Sequence, residues 1–267
     1  MNVITVDLDD TLIKTSTDYE NAIDEFANYV NELYGVDKGL VKKTQREIDK
    51  ELVEETGFKT DRFPTSFVKT LEKLVPYAGT KEKETVKEIG ENTFKSVNEY
   101  KSRSFMKNAE QMLNEIAEYA DKLHLVTVGE KELQQKKISA LGLEEWFDEF
   151  HYVDEYDGKD EVITKLKSEY DICKKDMYHI GNSSTSDVFP AISVGVNAVY
   201  INQNKNWLET EDLNLHEEAM DFGVAVYEFK NHATVQERFE HILQDNQAGL
   251  ITEEKLAMKN DLSEIVL

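Results

Sequence analysis

From residue 108 to residue 243, short β-branched runs alternate with amphipathic stretches, and that alternation limits the possible folds more than any other feature of the chain. Residues 123–128, 150–153, 177–180, 198–201 and 225–228 read as strands, being short, apolar and flanked by turn residues. Residues 108–119, 130–141, 161–170, 187–194 and 234–243 carry helical spacing, with Met112, Ile116 and Tyr119 on one side of the first. Gly142 closes the second, as glycine does past a helix end. Strands that alternate with helices are joined by right-handed crossovers, which lay helices on both faces of a parallel sheet. The expected fold class is therefore α/β. Residues 3–6, Val-Ile-Thr-Val, add one more buried strand at the start.

The pattern changes between this first strand and residue 101. Ala22, Phe26, Val30 and Leu33 recur at helical spacing, and Gly35 fits the helix end. Further helices are expected over 38–55, 66–74 and 81–100, with Gly57 and Pro64 separating the first of these. No strand is evident there. The expected organisation is a core of residues 1–14 and 104–245, an all-helical insertion of residues 15–103, and a polar extension of residues 246–267 that reads as a weakly held helix or tail.

Composition narrows the partners. The 267 residues hold 54 acids against 31 bases, a net charge of -23. Nucleic acid and anionic membranes both favour basic surfaces, so neither is an expected partner. No apolar run approaches the ~18 residues of a membrane span, and the first residues lack a basic, signal-like stretch. The single cysteine, Cys173, has no partner for an internal disulfide and reads as a small core residue. A reducing, cytoplasmic setting is expected, and the chain is expected to act as a monomer or homodimer.

Open parallel sheets bind ligands beyond the carboxyl ends of their strands. Three such ends carry unusual residues: Asp7-Leu8-Asp9-Asp10-Thr11, then Thr127-Val128-Gly129, then Gly181-Asn182 through Asp187. Lys159 opens the helix before the third. Like charges held close together are costly unless something compensates them, and a divalent cation is the simplest compensation. Mg²⁺ takes hard oxygen ligands and leaves room for a phosphate. A metal together with Lys159 would make a local positive focus in an acidic protein.

These four elements, in this order around a helical insertion, resemble the motifs of the haloacid dehalogenase-like hydrolase superfamily over residues 1 to about 245. The resemblance implies a Rossmann-like core with an α-helical cap inserted after the first strand. It implies a phosphatase acting on a small-molecule phosphate ester, with Mg²⁺ as cofactor. Asp7 matches the nucleophile that becomes an aspartyl-phosphate. Asp9 matches the general acid/base, and its main-chain carbonyl would ligate the metal. Thr127 and the neighbouring backbone at Val128 would hold phosphate oxygens. Lys159 would balance charge between Asp7 and the phosphate. Asp187 would anchor the metal, with Asn182 as a further ligand.

Two positions depart from the pattern. Asn182 stands where the family has an acid, so its amide oxygen brings no charge and Mg²⁺ affinity is expected to be weaker. Val128 stands where many relatives have a polar residue, but a backbone amide needs no side chain. Asp10 reads as a brace of its turn, and Ser183, Ser184 and Ser186 as turn or cap residues. His124 and His179 read as strand histidines in the core. His151, His216, His232 and His241 read as surface residues, as do Lys136 and Lys137, while Trp146 and Phe147 read as packing residues and Trp207 as a cover for the core edge. In the insertion, Lys59, Arg62 and Phe63 are candidates to touch the leaving group, with joints near residues 14–17 and 101–105.

Two other functions fit the same elements. One is a metal-free dehalogenase with Asp7 attacking carbon; Asp9 argues against it, because a departing halide needs no proton. The other is a catalytically weakened or silent relative that binds a phosphometabolite or a protein partner.

Overall fold

Every residue of β1 (Val3–Val6) is buried, as in a strand covered on both faces. Four helices follow: α1 (Ser16–Tyr34), α2 (Lys38–Thr56), α3 (Arg62–Leu74) and α4 (Thr80–Lys95). After them come α5 (Ala109–Tyr119), β2 (Lys122–Val128), α6 (Lys131–Leu141), β3 (Glu149–Val153) and α7 (Lys159–Glu169). Then follow β4 (Met177–Gly181), a π-helical turn at Ser184–Val188, α8 (Phe189–Ser193), β5 (Asn197–Ile201), α9 (Leu215–Phe222), β6 (Val226–Phe229) and α10 (His232–Gln247). This computed structural model describes residues 1–95, 105–154, 158–173, 176–203 and 214–247. Residues 101–104 of the suggested joint, Trp207, and residues 248–267 of the extension lie outside the described residues. Among the described residues, no helix is long and apolar enough to cross a membrane.

The chain forms two compact units. The first contains Met1–Ile13, Arg103–Thr127 and Leu143–Leu267. Its six-stranded parallel sheet has the order β3-β2-β1-β4-β5-β6. Val6 pairs with Leu125 of β2 on one side and with Ile180 of β4 on the other. The chain therefore leaves the central strand in opposite directions, and the sheet's switch point lies at the carboxyl end of β1. On one face, Ile163 and Leu166 of α7 pack with Ala191 and Ile192 of α8 and Ala219 of α9. Elsewhere in this unit, Phe239 of α10 is fully buried and meets the rings of Tyr119 and Tyr178.

The second unit contains Lys14–Ser102 and Val128–Gly142. Its core is aromatic: Phe26 stacks on Phe67 with centroids 4.5 Å apart, and Phe63 sits edge-on to both Tyr19 and Phe67. Thr60 donates a 2.5 Å hydrogen bond to Glu130, at the start of α6. Here the structure corrects the sequence reading. Arg62 is buried, paired with the equally buried Asp49 and set over the Phe58 ring at 5.5 Å. Arg62 and Phe63 thus build the interior of this unit, and of the three suggested leaving-group contacts Lys59 alone is exposed. Pro64 does not break a helix but lies in the first turn of α3, where a missing N–H costs nothing.

Further differences have the same kind of cause. Lys137 is buried because α6 turns Gln134, Lys137 and Ile138 inward together, at spacings of three and four residues. Cys173 is exposed, in the loop before β4. The sequence showed no clear signal for α9, a helix of only 8 residues.

Candidate active site

At the end of β1 the strand pattern breaks. The N–H of Asp7 still donates to the carbonyl of Ile180 at 2.9 Å, the last ladder bond of the strand. The chain then doubles back, with the N–H groups of Leu12 and Ile13 both donating to the carbonyl of Leu8. Asp10 makes this possible by adopting a left-handed conformation, φ +59°, which aspartate tolerates better than most residues. The result brings Thr11, fully buried, back onto Asp7: its hydroxyl lies 2.8 Å from Asp7 Oδ2.

Lys159 is the first residue of α7, and its side chain is almost fully buried. Its ammonium lies between two carboxylates, 2.5 Å from Asp7 Oδ1 and 2.5 Å from Asp187 Oδ1. Asp187 comes from the π-helical turn after β4. Its Oδ1 also meets His179 Nε2 at 3.3 Å, and its Oδ2 accepts from the N–H groups of Asn182 at 3.0 Å and Ser183 at 2.9 Å. Ser183 caps the turn by accepting from the N–H of Ser186. His179 is anchored behind by Thr5, whose hydroxyl lies 2.8 Å from its Nδ1.

Gly181 is what lets Asp187 fold back here. A Cβ at Gly181 would lie 2.2–2.4 Å from three atoms of the Asp187 side chain. That side chain is tied by four donors and has nowhere to move. Gly181→Ala is therefore expected to lower stability by about 1–3 kcal/mol, read from the urea midpoint, and to reduce activity with it. A wild-type midpoint would refute this account of the turn.

Asn182, the residue that departs from the family pattern, contacts the same Thr11 hydroxyl at 2.9 Å. A hydroxyl carries one proton. The Asn182 atom at Thr11 is its amide oxygen, so with Asp7 ionised the two oxygens compete for that one proton. With Asp7 protonated, Asp7 donates to Thr11, and Thr11 donates to the amide oxygen.

The electrostatics follow from three acids around one lysine. Burial, with repulsion from Asp187 and Asp9, pushes Asp7 up to about 7 against the pull of Lys159. Burial also opposes ionisation of Asp187, but Lys159 and His179 outweigh it and hold that carboxyl well below the usual range. Burial disfavours the charge on Lys159, yet the two carboxylates hold it protonated, with its pKa raised. His179 is pushed down by burial and is neutral at pH 7.

The geometry thus joins Asp7, Thr11, Lys159, Asn182 and Asp187 directly, and Asp9 is close enough to act on Asp7 through its charge. Thr127, fully buried, lies two residues beyond the Leu125 that pairs with Val6, at the neighbouring strand end. Val128 is the last residue of that strand. The oxygens of the Asp7 carboxylate, the Asp9 carbonyl and the Asn182 amide are a hard-oxygen set of the kind Mg²⁺ takes, beside an excess of negative charge. Both oxygens of Asp187 accept hydrogen bonds, as do both oxygens of Asp7, and each carboxylate oxygen has a second lone pair.

Sequence reasoning missed His232. The expectation was a surface residue, but it is fully buried, and its Nε2 donates to the main-chain carbonyl of Thr11 at 2.5 Å. Gln203, 3.1 Å from Nδ1, fixes that tautomer by donating its amide N–H there. His232 and Thr11 are 221 residues apart, and no local pattern could reveal the contact.

Comparisons with known proteins agree with this architecture. No curated protein matches the sequence significantly. A haloacid dehalogenase-like family hydrolase from Xanthomonas campestris superposes with a TM-score of 0.72 at 19% identity, covering 93% of this chain and 94% of its own. The HAD-hydrolase YfnB from Bacillus subtilis, bound to magnesium, gives a TM-score of 0.61 at 15% identity, covering 91% and 98%. The L-2-haloacid dehalogenase from Xanthobacter autotrophicus gives 0.55 at 12% identity, covering 90% and 98%. At such identities the likeness shows the fold, which serves more than one chemistry. The family model for haloacid dehalogenase-like hydrolases matches residues 1–195, the whole stretch from the first strand through the π-helical turn and α8, and the chain belongs to that family.

Proposed function

We propose that this hydrolase is a Mg²⁺-dependent phosphomonoesterase acting on a small phosphorylated metabolite, with Asp7 as the nucleophile. The observation that carries the proposal is the pairing of two acids with different surroundings. Asp7 is buried and held between Lys159 and Thr11, while Asp9, two residues on, is half-buried and acts on Asp7 through its charge. Phosphoryl transfer to a carboxylate needs alignment and charge stabilisation, plus a proton for the leaving oxygen. Displacement of halide needs no proton, so a placed second acid favours the phosphatase over the dehalogenase. The magnesium bound to the Bacillus relative points the same way.

Asp7 attacks phosphorus as the bond to the leaving oxygen breaks, and Asp9 supplies that oxygen with a proton. Asp9, now ionised, removes a proton from water as the water attacks the phosphorus of the aspartyl-phosphate. Phosphate leaves and Asp7 is restored. Lys159 holds Asp7 in place and offsets the charge of the incoming phosphate, and Thr127 with the Val128 backbone binds phosphate oxygens. Mg²⁺, held by Asp7, the Asp9 carbonyl, Asp187 and Asn182, would supply positive charge that screens the substrate from the acids around it. Asp187 also fixes Lys159.

The deciding experiment measures phosphate release from an aryl phosphate and from a panel of phosphorylated metabolites, with and without Mg²⁺, alongside chloride release from 2-chloropropionate. Phosphate release that requires Mg²⁺ is expected. Chloride release without metal would overturn the proposal, and binding of phosphate esters with no turnover would support the silent alternative.

Two further outcomes depend on the metal. Mg²⁺ must displace the proton from Asp7, whose pKa is about 7 without it. Apparent Mg²⁺ affinity should therefore weaken as pH falls below 7, approaching about tenfold per pH unit for one displaced proton, and level off above pH 8. Calorimetric titration at several pH values checks this, and a flat profile would mean Asp7 is not a ligand. Asn182→Asp adds a negative charge to the set and should tighten Mg²⁺ by about tenfold at pH 8; an unchanged or weaker affinity would remove Asn182 from the set.

A further inference from the structure

A second cluster of ligand-type side chains lies on the other side of the sheet order, at its edge. His124 comes from β2, and Glu149 and His151 come from β3, the edge strand beside it. Residues two apart on a strand share a face, so Glu149 and His151 point the same way. His124 Nδ1 lies 3.2 Å from His151 Nε2, and His151 Nε2 lies 3.8 Å from Glu149 Oε2. One ligand atom from each residue falls within 4.8 Å of the others. The three are graded from inside to outside: His124 is fully buried, the His151 side chain is 16% exposed, and the Glu149 side chain is 57% exposed.

His124 Nδ1 and His151 Nε2 face each other, while His124 Nε2, the other ring nitrogen, is buried with no partner. The Nδ1–Nε2 spacing suits a shared metal ion. Bonds of about 2.0–2.1 Å from two nitrogens to a tetrahedral ion set those nitrogens roughly 3.3 Å apart. Burial holds both imidazoles below their ordinary pKa, so both are neutral, the form in which histidine binds a metal.

We propose that His124, Glu149 and His151 form a second cation site, selective for a borderline transition ion such as Zn²⁺. Two imidazoles and one carboxylate are a recurrent Zn²⁺ donor set, with a fourth position left for water. Nitrogen donors disfavour Mg²⁺, so the ion of the catalytic site does not compete here. The bound ion joins the edge strand β3 to β2, and binding energy available only to the folded chain becomes stability. The acidic protein raises the local cation concentration, and the exposed Glu149 gives the ion its entry.

The test uses metal-free full-length protein in saturating Mg²⁺, with Zn²⁺ titrated by calorimetry and the thermal midpoint followed in parallel. Co²⁺ is the spectroscopic probe, its visible d–d bands reporting nitrogen ligation and low coordination number. One equivalent of Zn²⁺ should bind and raise the midpoint. The affinity should fall at least about tenfold in His151→Gln and in Glu149→Gln, and stay unchanged in Asp7→Asn. Both edge substitutions lie near the surface and should retain the fold, which circular dichroism checks. Absence of Zn²⁺ binding at micromolar concentration, binding undiminished in His151→Gln, or binding lost in Asp7→Asn would each overturn the proposal.

Discussion

Asp7→Asn should reduce hydrolysis of an aryl phosphate by about 10⁴-fold or more while leaving the fold intact. An amide cannot attack phosphorus, and nothing else in the linked cluster is placed to replace Asp7. Asp9 is assigned the proton transfer, and Asp187 is held by Lys159, His179 and the N–H groups of Asn182 and Ser183. The stability of this variant carries a second, sharper signature. Asp7 has a folded-state pKa of about 7 against an ordinary aspartate value of 3.8, so ionising it costs the folded state more than the unfolded one. That cost is absent below pH 3.8, grows through the window between 3.8 and 7, and is fully present above 7. Removing the charge should therefore raise the urea midpoint at pH 8 and leave it nearly unchanged at pH 4. Such a gain in stability with a loss of function is expected where an active site holds charges against their preference. Retained turnover, or a midpoint that falls at pH 8, would contradict the placement of Asp7.

Lys159→Met should produce the largest loss of stability. Its ammonium is 1% exposed and is the only cation in direct contact with the paired Asp7 and Asp187 among the described residues. Methionine fills similar volume but leaves two buried carboxylates facing each other. Breaking a buried pair by removing one partner costs about 3–5 kcal/mol. Without the lysine both acids are pushed up, so the loss should be greatest at pH 8 and shrink as the pH falls and they take up protons. Urea melts at pH 8 and at pH 5.5 measure both parts of this expectation. A loss below about 1 kcal/mol at pH 8 would mean that water reaches these charges and that the ion pairs do not order the site. Activity should be lost whatever the stability, since the phosphate would face the acids without that offset.

Much of the site was legible because its residues announce themselves locally. Acids at the end of an apolar strand are chemically expensive, and Asp7, Asp9 and Thr11 lie within five residues of each other. Lys159 at a helix start and Asp187 after Gly181-Asn182 were found by their positions at strand and helix ends. The supporting residues lacked such signals. His232 enters from the last described helix to reach the Thr11 carbonyl. Arg62 looked like a free surface cation until Asp49, thirteen positions earlier in another helix, was brought against it. Lys137 looked solvated in a run of polar residues, and only the rotation of α6 decides that it turns inward.

What the sequence determined by itself was the class of fold and the chemical types at the strand ends. Those depend on periodicity, turn residues and charge within a few positions, where the covalent chain already sets the neighbours. What only the tertiary structure decided was who shares a proton or a charge with whom. Thr11 stands between Asp7 and Asn182, Lys159 stands between Asp7 and Asp187, and His124 meets His151 across two strands. Each of these pairings depends on sheet register and on water being excluded. In low dielectric a contact of 2.5–3.3 Å determines protonation, and no pattern along the chain encodes that distance.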